Sequence, residues 1–225
     1  MFRRRLGLSL RKYDRCFPGP LLGIDEVGTG AIAGPIYAAG VVLPREGPVL
    51  DALEQMGLTD SKKMTPVTRK KAADLILKTP EITTYVVERF PFEIEQQGHY
   101  KCIGSAFDEI ILAIKRAVEI KTILIDGRSN SNTLSTAQWI EGGDGKSMAI
   151  AAASVIAKVA RDQHMVDLEN DFPEYSFSGH KGYFTLQHQE ELKKYGACEA
   201  HRKGTQPIKQ LTVVRDESLE EEKTS

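Results

Sequence analysis

Long apolar runs are missing from this chain of 225 residues. No stretch of about 18 residues is both apolar and free of charge, which excludes a membrane-spanning helix, so no membrane partner is expected. The first 20 residues hold six basic groups and no apolar stretch long enough for a secretory signal. Cysteine is scarce: Cys16, Cys102 and Cys198 are odd in number and widely spaced. That argues against a disulfide frame or a cysteine zinc site, and points to reduced thiols in a cytoplasmic setting. An excess of charge of one sign is also missing. The net charge of −1 argues neither for nor against a polyanionic partner. What is present is ordinary for a folded domain. Hydrophobic residues are 41% and charged residues 27%, which excludes disorder over the whole chain.

Charge is unevenly placed. Residues 1–15 carry six basic groups and one acidic, whereas residues 216–225 carry five acidic and one basic. The ends are therefore expected as a basic arm over 1–20 and a solvated, disordered acidic tail over 216–225. Between them, strand and helix patterns alternate. Leu21–Asp25 is an apolar run that ends in carboxylates and then glycines, a strand entering a turn. Ile36–Leu43 and Ile82–Phe90 are β-branched strands, and Thr122–Asp126 is an apolar strand that again ends in a carboxylate. Thr65 caps a helix over Thr65–Lys78 with Pro66 at its first position. Tyr100–Glu119 spaces Ile103, Phe107, Ile110, Ile111 and Ile114 as one helix face, and Lys146–Leu168 is a long Ala-rich helix. Residues 173–184 are turn-rich, and Thr185–Tyr195 is a short helix stopped by Gly196. The pattern predicts an α/β fold with a mixed sheet flanked by helices, its acids at strand ends where such folds place chemistry.

Four acids stand out. Asp25 and Glu26 are adjacent on a strand, so both can reach one pocket only at a turn, which Gly28 and Gly30 can supply. Asp126 ends a second strand, and Asp144 sits in a Gly-rich segment before the Ala-rich helix. Each Asp alone reads more readily as a turn or cap residue. Together, without a Cys/His cluster, they suit hard cations such as Mg2+ or Mn2+. Two such ions can activate a water and stabilise the leaving oxygen in phosphodiester hydrolysis. Asp60-Ser61-Lys62-Lys63 could touch phosphate. Gly145-Lys146-Ser147 ends like a P-loop, but Ile140 stands where its first glycine is needed. His164 is expected as a surface or capping residue rather than a catalytic one, and Trp139 in the core.

The segments GIDEVGTGAIAGPIYAAGVVL, LTDSKKM, ILIDG, IAAASVIAKVARD, HKGYFT followed by His188, and His201-Arg202 come in the order and spacing of ribonuclease HII. The chain resembles that family over about residues 20–208. The resemblance implies a ribonuclease H-like core over 21–172 and a C-terminal helical extension over 173–215. It implies a metal-dependent endoribonuclease acting on the RNA strand of RNA–DNA hybrids and on single ribonucleotides in duplex DNA. Two Mg2+ or Mn2+ ions per site, 5′-phosphate and 3′-hydroxyl products, and a monomer are expected with it. By the same resemblance, Asp25, Glu26, Asp126 and Asp144 are the metal-holding catalytic acids. Gly28, Thr29, Gly30, Ser61, Lys62, Lys63 and Tyr183 are substrate contacts, with Tyr183 on the ribose at the RNA–DNA junction. Asp162 is expected to be structural.

The chain departs from the family pattern in three places. Thr29 stands where Gly-Arg-Gly is usual, as in the paralogous ribonuclease HIII; Thr205 replaces an aromatic; Gly142 replaces a frequent lysine. Ribonuclease HIII carries an added N-terminal domain, and only 24 residues precede Asp25, which sides with HII. No aromatic clamp-binding motif stands near the C-terminus. Two other readings stay open: specificity restricted to RNA stretches, as in ribonuclease HIII, or a catalytically silent hybrid-binding module.

Overall fold

The structure is a computed structural model and describes residues 9–128 and 137–210. The acidic tail and the arginines Arg3, Arg4 and Arg5 lie outside the described residues. Five strands, β1 (Leu21–Val27), β2 (Ile36–Val42), β3 (Thr83–Arg89), β4 (Thr122–Asp126) and β5 (Gln138–Ile140), form one sheet in the order β3-β2-β1-β4-β5. β2 runs antiparallel to β1 and β3, while β4 and β5 run parallel to β1 and to each other's direction. The mixed sheet flanked by helices expected from sequence is the observed architecture.

The helices follow in chain order: α1 (Leu10–Asp14), α2 (Pro48–Gln55), α3 (Pro66–Lys78), α4 (Pro91–Gln97), α5 (His99–Ala117), α6 (Met148–Asp171), α7 (Phe177–His180) and α8 (Leu186–Tyr195). Thr65 caps α3 through its side chain, with Pro66 at the first turn, as its sequence dictates. α5 covers one sheet face: its Ile103, Phe107, Ile110 and Ile114 pack on Leu22, Ile24, Ile123 and Ile125. α6 covers the other face.

The Ala-rich start of α6 has a specific reason. A Cβ added to Gly23 on β1 would fall 2.3 Å from the backbone carbon of Ala149. Helix and strand backbones touch there, and only small residues permit it. Ser147 and Asp14 receive the first N–H groups of α6: Ile150 N–H donates to Ser147 Oγ at 3.3 Å and Ala149 N–H to Asp14 Oδ2 at 2.9 Å. The basic start is thus partly folded, with Arg11 on Asp51 at 2.5 Å and Arg15 on Glu46 at 3.2 Å.

Several boundaries differ from the sequence expectation. β1 continues past Asp25 to Val27, because Glu26 and Val27 still pair with Ala38 and Tyr37 of β2. α6 runs to Asp171, and α7 lies within the turn-rich stretch. α1, α2, α4 and β5 carry too few periodic residues to announce themselves. His164 is at the surface only in part. It is half-buried, with Nδ1 3.1 Å from the Tyr37 hydroxyl, beside a 610 Å³ cavity. α7, α8 and Ile208 close a third core against Ile32, Ala33 and Met165, so the C-terminal segment packs on the loop after β1.

Candidate metal and nucleic-acid site

Parallel pairing of β1 with β4 sets Gly23 beside Leu124 and Ile24 beside Ile125. Side chains alternate between faces, so Asp25 and Asp126, each two residues on from the Gly23–Leu124 pair, share the α6 face. The short helical turn Gly143–Gly145 brings Asp144 to the same edge. Asp25, Asp126 and Asp144 each offer a carboxylate oxygen, all within 4.8 Å of one another. Gly143 N–H donates to Asp126 Oδ1 at 2.5 Å, which fixes the Asp126 carboxylate.

Glu26 falls on the opposite face from Asp25, since the strand has not yet turned. It opens into a groove with Thr29, His99, Tyr100, Asp126, Arg128 and Trp139. Trp139 is therefore only partly in the core: its ring packs 6.0 Å from Phe107 and also lines this groove.

Three carboxyls are held above their usual range. Burial lifts Asp25 most, with the Glu26 and Asp126 charges adding to it. Burial and the Asp126 charge push Glu26 up to about 7. Burial, then Asp126 and Asp60, raise Asp144. Crowded carboxylates with one ammonium nearby, that of Lys62, are a place where a hard divalent cation lowers the energy. The all-oxygen donor set fits Mg2+ or Mn2+ rather than a thiophilic metal.

Raised carboxyls keep protons in the folded state that unfolded carboxyls have lost. Their stabilisation is thus full at low pH and is lost as pH rises through the folded values, near 7 for Glu26. A divalent cation takes over from the lost protons. The rise in melting temperature between chelator and Mn2+ should be small at pH 5 and grow steadily to pH 8. Thermal melts at both conditions across that range check it, and a pH-independent difference speaks against a carboxylate site.

Gly28 has φ +88°, and a Cβ there would fall 2.1 Å from Arg161 Nε, so no other residue fits. A Cβ on Gly30 would meet nothing within 4 Å, which leaves open space above that backbone. Lys62 and Lys63 are exposed, and Lys63 reaches Asp60 at 3.3 Å. Ser61 differs from the sequence expectation, because its hydroxyl is buried and lies 2.8 Å from Ser154 Oγ. Ser154 in turn bonds Asp25, so Ser61 faces the acids' supporting layer rather than solvent. Tyr183 is half-buried, with the Arg161 guanidinium 5.4 Å over its ring. Asp162 ties α6 to α3, reaching Lys158 at 2.6 Å and Arg69 at 3.5 Å.

Two buried arginines escaped sequence reasoning. Arg161 donates to the Pro35 and Ala33 carbonyls at 2.9 and 3.3 Å, and Arg202 to those of Gly34 and Thr29 at 2.9 and 3.3 Å. They hold the loop after β1 from behind. Each stands within a quoted motif, but nothing in a lone arginine on a helix or loop tells a buried brace from a solvated charge.

The chain is similar to known proteins over most of its length. The family model for ribonuclease HII matches residues 22–207. A ribonuclease HII of Francisella tularensis subsp. novicida is 36% identical over 191 residues, 85% of this chain and 98% of that protein. The ribonuclease HII in the structure of a PCNA:RNase HII complex from Archaeoglobus fulgidus superposes with a TM-score of 0.67 at 25% identity, covering 83% of this chain and 95% of that one. Bst-RNase HIII in complex with Mn2+ shares the fold, with a TM-score of 0.67 at 17% identity over 86% of this chain and 69% of that one.

Proposed function

Because this chain belongs to the ribonuclease HII family of metal-dependent ribonucleases H, we propose that it cuts the RNA strand of RNA–DNA hybrids at the Asp25–Asp126–Asp144 edge, leaving 5′-phosphate and 3′-hydroxyl ends. The observation that carries this reading is three carboxylates meeting within 4.8 Å beside a glycine loop. Asp25, Asp126 and Asp144 would hold the metal, with Glu26 contributing from the other side of β1. Held there, a pair of Mg2+ or Mn2+ ions would supply activation of a water and stabilisation of the leaving 3′-oxygen.

The chain's own residues do the rest. Ser154 and the Gly143 N–H orient Asp25 and Asp126, so the donor set is built before any cation arrives. Lys62 and Lys63, both exposed on the loop before α3, meet backbone phosphates. Gly28 and Gly30 let the loop backbone approach a ribose 2′-hydroxyl. Tyr183 packs on the sugar at the RNA–DNA junction, where a 2′-hydroxyl distinguishes RNA from DNA. A silent binding module is the weaker reading, since clustered acids repel a polyanion unless a cation sits among them.

Thr29 sets substrate preference in this reading. It lines the groove with Glu26 and Asp126, and a threonine cannot reach a phosphate as the arginine of Gly-Arg-Gly relatives can. Cleavage of RNA stretches should be robust, and cleavage at single ribonucleotides in DNA present but weaker. The test compares wild type and Thr29→Arg on one duplex of each kind. The substitution should raise the single-ribonucleotide rate relative to the stretch rate. An unchanged ratio means that Thr29 does not set the preference.

A further inference from the structure

Tyr183 is held by a chain of hydrogen bonds that runs through two buried histidines. At its start, Cys198 N–H donates to His201 Nδ1 at 3.0 Å. A backbone N–H can only donate, so that nitrogen is bare and a neutral His201 carries its proton on Nε2. His201 Nε2 lies 3.0 Å from His188 Nε2, so His201 donates and His188 accepts. His188 then carries its proton on Nδ1, 3.0 Å from the Tyr183 carbonyl oxygen, which can only accept. One tautomer assignment satisfies every link, and both rings are neutral in it. A second proton on His188 would set Nε2–H against Nε2–H of His201. A second proton on His201 would set Nδ1–H against Cys198 N–H.

The surroundings favour that state. His188 and His201 are 0% and 1% exposed, and burial pushes each of them down to about 4. The titratable groups around them come from every neighbouring element. His180 of α7 stacks on His188 at 4.0 Å, and the Tyr175 ring lies 4.9 Å from His201. Cys198 Sγ is 3.2 Å from His201 Nδ1. The carboxylate of Glu191 on α8 favours a proton on either ring, but it is already bonded by His180 Nε2 at 2.9 Å. His180 Nδ1 accepts from Gly182 N–H at 3.1 Å. The two backbone groups flanking the Tyr183 nitrogen and ring, the Gly182 N–H and the Tyr183 carbonyl, are thus held by different histidines. The residue after His201 is Arg202, which holds the Thr29 carbonyl, so one segment supports both proposed ribose contacts.

We propose that His188 and His201 are positioning residues whose paired neutral tautomers fix the Tyr183 backbone and thereby the presentation of its ring to the junction ribose. The inference rests on the reading of Tyr183 as a ribose contact.

Two measurements test it. Histidine 15N–1H correlation spectra of the full wild-type chain at pH 7 should show His201 as the Nε2–H tautomer and His188 as the Nδ1–H tautomer. The reverse tautomer, or an imidazolium, at either residue overturns the relay. The second is a double-mutant cycle on an RNA–DNA hybrid in Mn2+. His201→Phe keeps the ring's size and its aromatic neighbours while removing both nitrogens. His201→Phe and Tyr183→Ala should each lower kcat/KM by about tenfold, and the double variant should match Tyr183→Ala within about twofold, because residues acting through one another do not add. Multiplying losses, or a fully active His201→Phe, mean that His201 does not act through Tyr183. Full activity of Tyr183→Ala instead overturns the ribose-contact reading, while the spectra report on the relay independently.

Discussion

Asp126→Asn is expected to abolish nearly all hybrid cleavage while leaving the metal-free protein at least as stable as wild type. The two halves of this result have one cause. Asp126 adds its charge to the burial that raises Asp25, Glu26 and Asp144, so it is the common source of repulsion in the cluster. An asparagine keeps an oxygen for the Gly143 N–H, 2.5 Å away, and so keeps the local geometry. Removing the charge relieves the other three acids, and their ionisation should move back toward ordinary values. What the variant loses is a metal ligand. Loss of a group that merely orients a ligand costs roughly 10–100-fold, so loss of the ligand itself should exceed that range. Melting in chelator and initial rates in Mn2+ give both numbers. A variant that is inactive because it is unfolded, or one within tenfold of wild type, contradicts the site.

Gly23→Ala is expected to cause a large loss of stability from a single methyl group. The added carbon would stand 2.3 Å from the Ala149 backbone and 2.4 Å from the Ile150 nitrogen. Neither can rotate away as a side-chain tip would. α6 must lift from β1, and α6 carries Ser154 and Arg161, which support Asp25 and the loop after β1. Overpacking of this kind costs up to about 3 kcal/mol, occasionally more. For a chain of this size that lowers the melting temperature by roughly 6–12 °C. Activity should fall beyond the loss of folded protein, because the displaced helix is the one that orients Asp25. Melting curves and rates normalised to folded fraction separate the two effects.

Much of this was legible in the sequence because its signals are local. Thr65 and Pro66 announce α3 by capping chemistry, and the isoleucines of α5 announce a buried face by their spacing. Asp126 at the end of an apolar strand was readable in the same way. What stayed hidden depends on pairing between distant segments. β1 carries two more residues than its apolar run because β2 still pairs with Glu26 and Val27, and that puts Glu26 on the face away from Asp25. Ser61 reads as a polar loop residue beside two lysines, yet Ser154, 93 positions on, turns its hydroxyl inward. Arg161 and Arg202 look like surface charges until the carbonyls of residues 29–35 are brought onto them.

The most direct test of the central claim is the chemistry of the cut ends. An end-labelled RNA–DNA hybrid is incubated with the full chain in Mn2+ or in chelator, and the fragments are resolved by mass. The Asp25–Asp126–Asp144 site predicts cleavage of the RNA strand alone, dependent on the divalent cation, leaving 5′-phosphate and 3′-hydroxyl ends. Fragments ending in a 2′,3′-cyclic phosphate, formed equally in chelator, would mean attack by the RNA's own 2′-hydroxyl and would contradict the account.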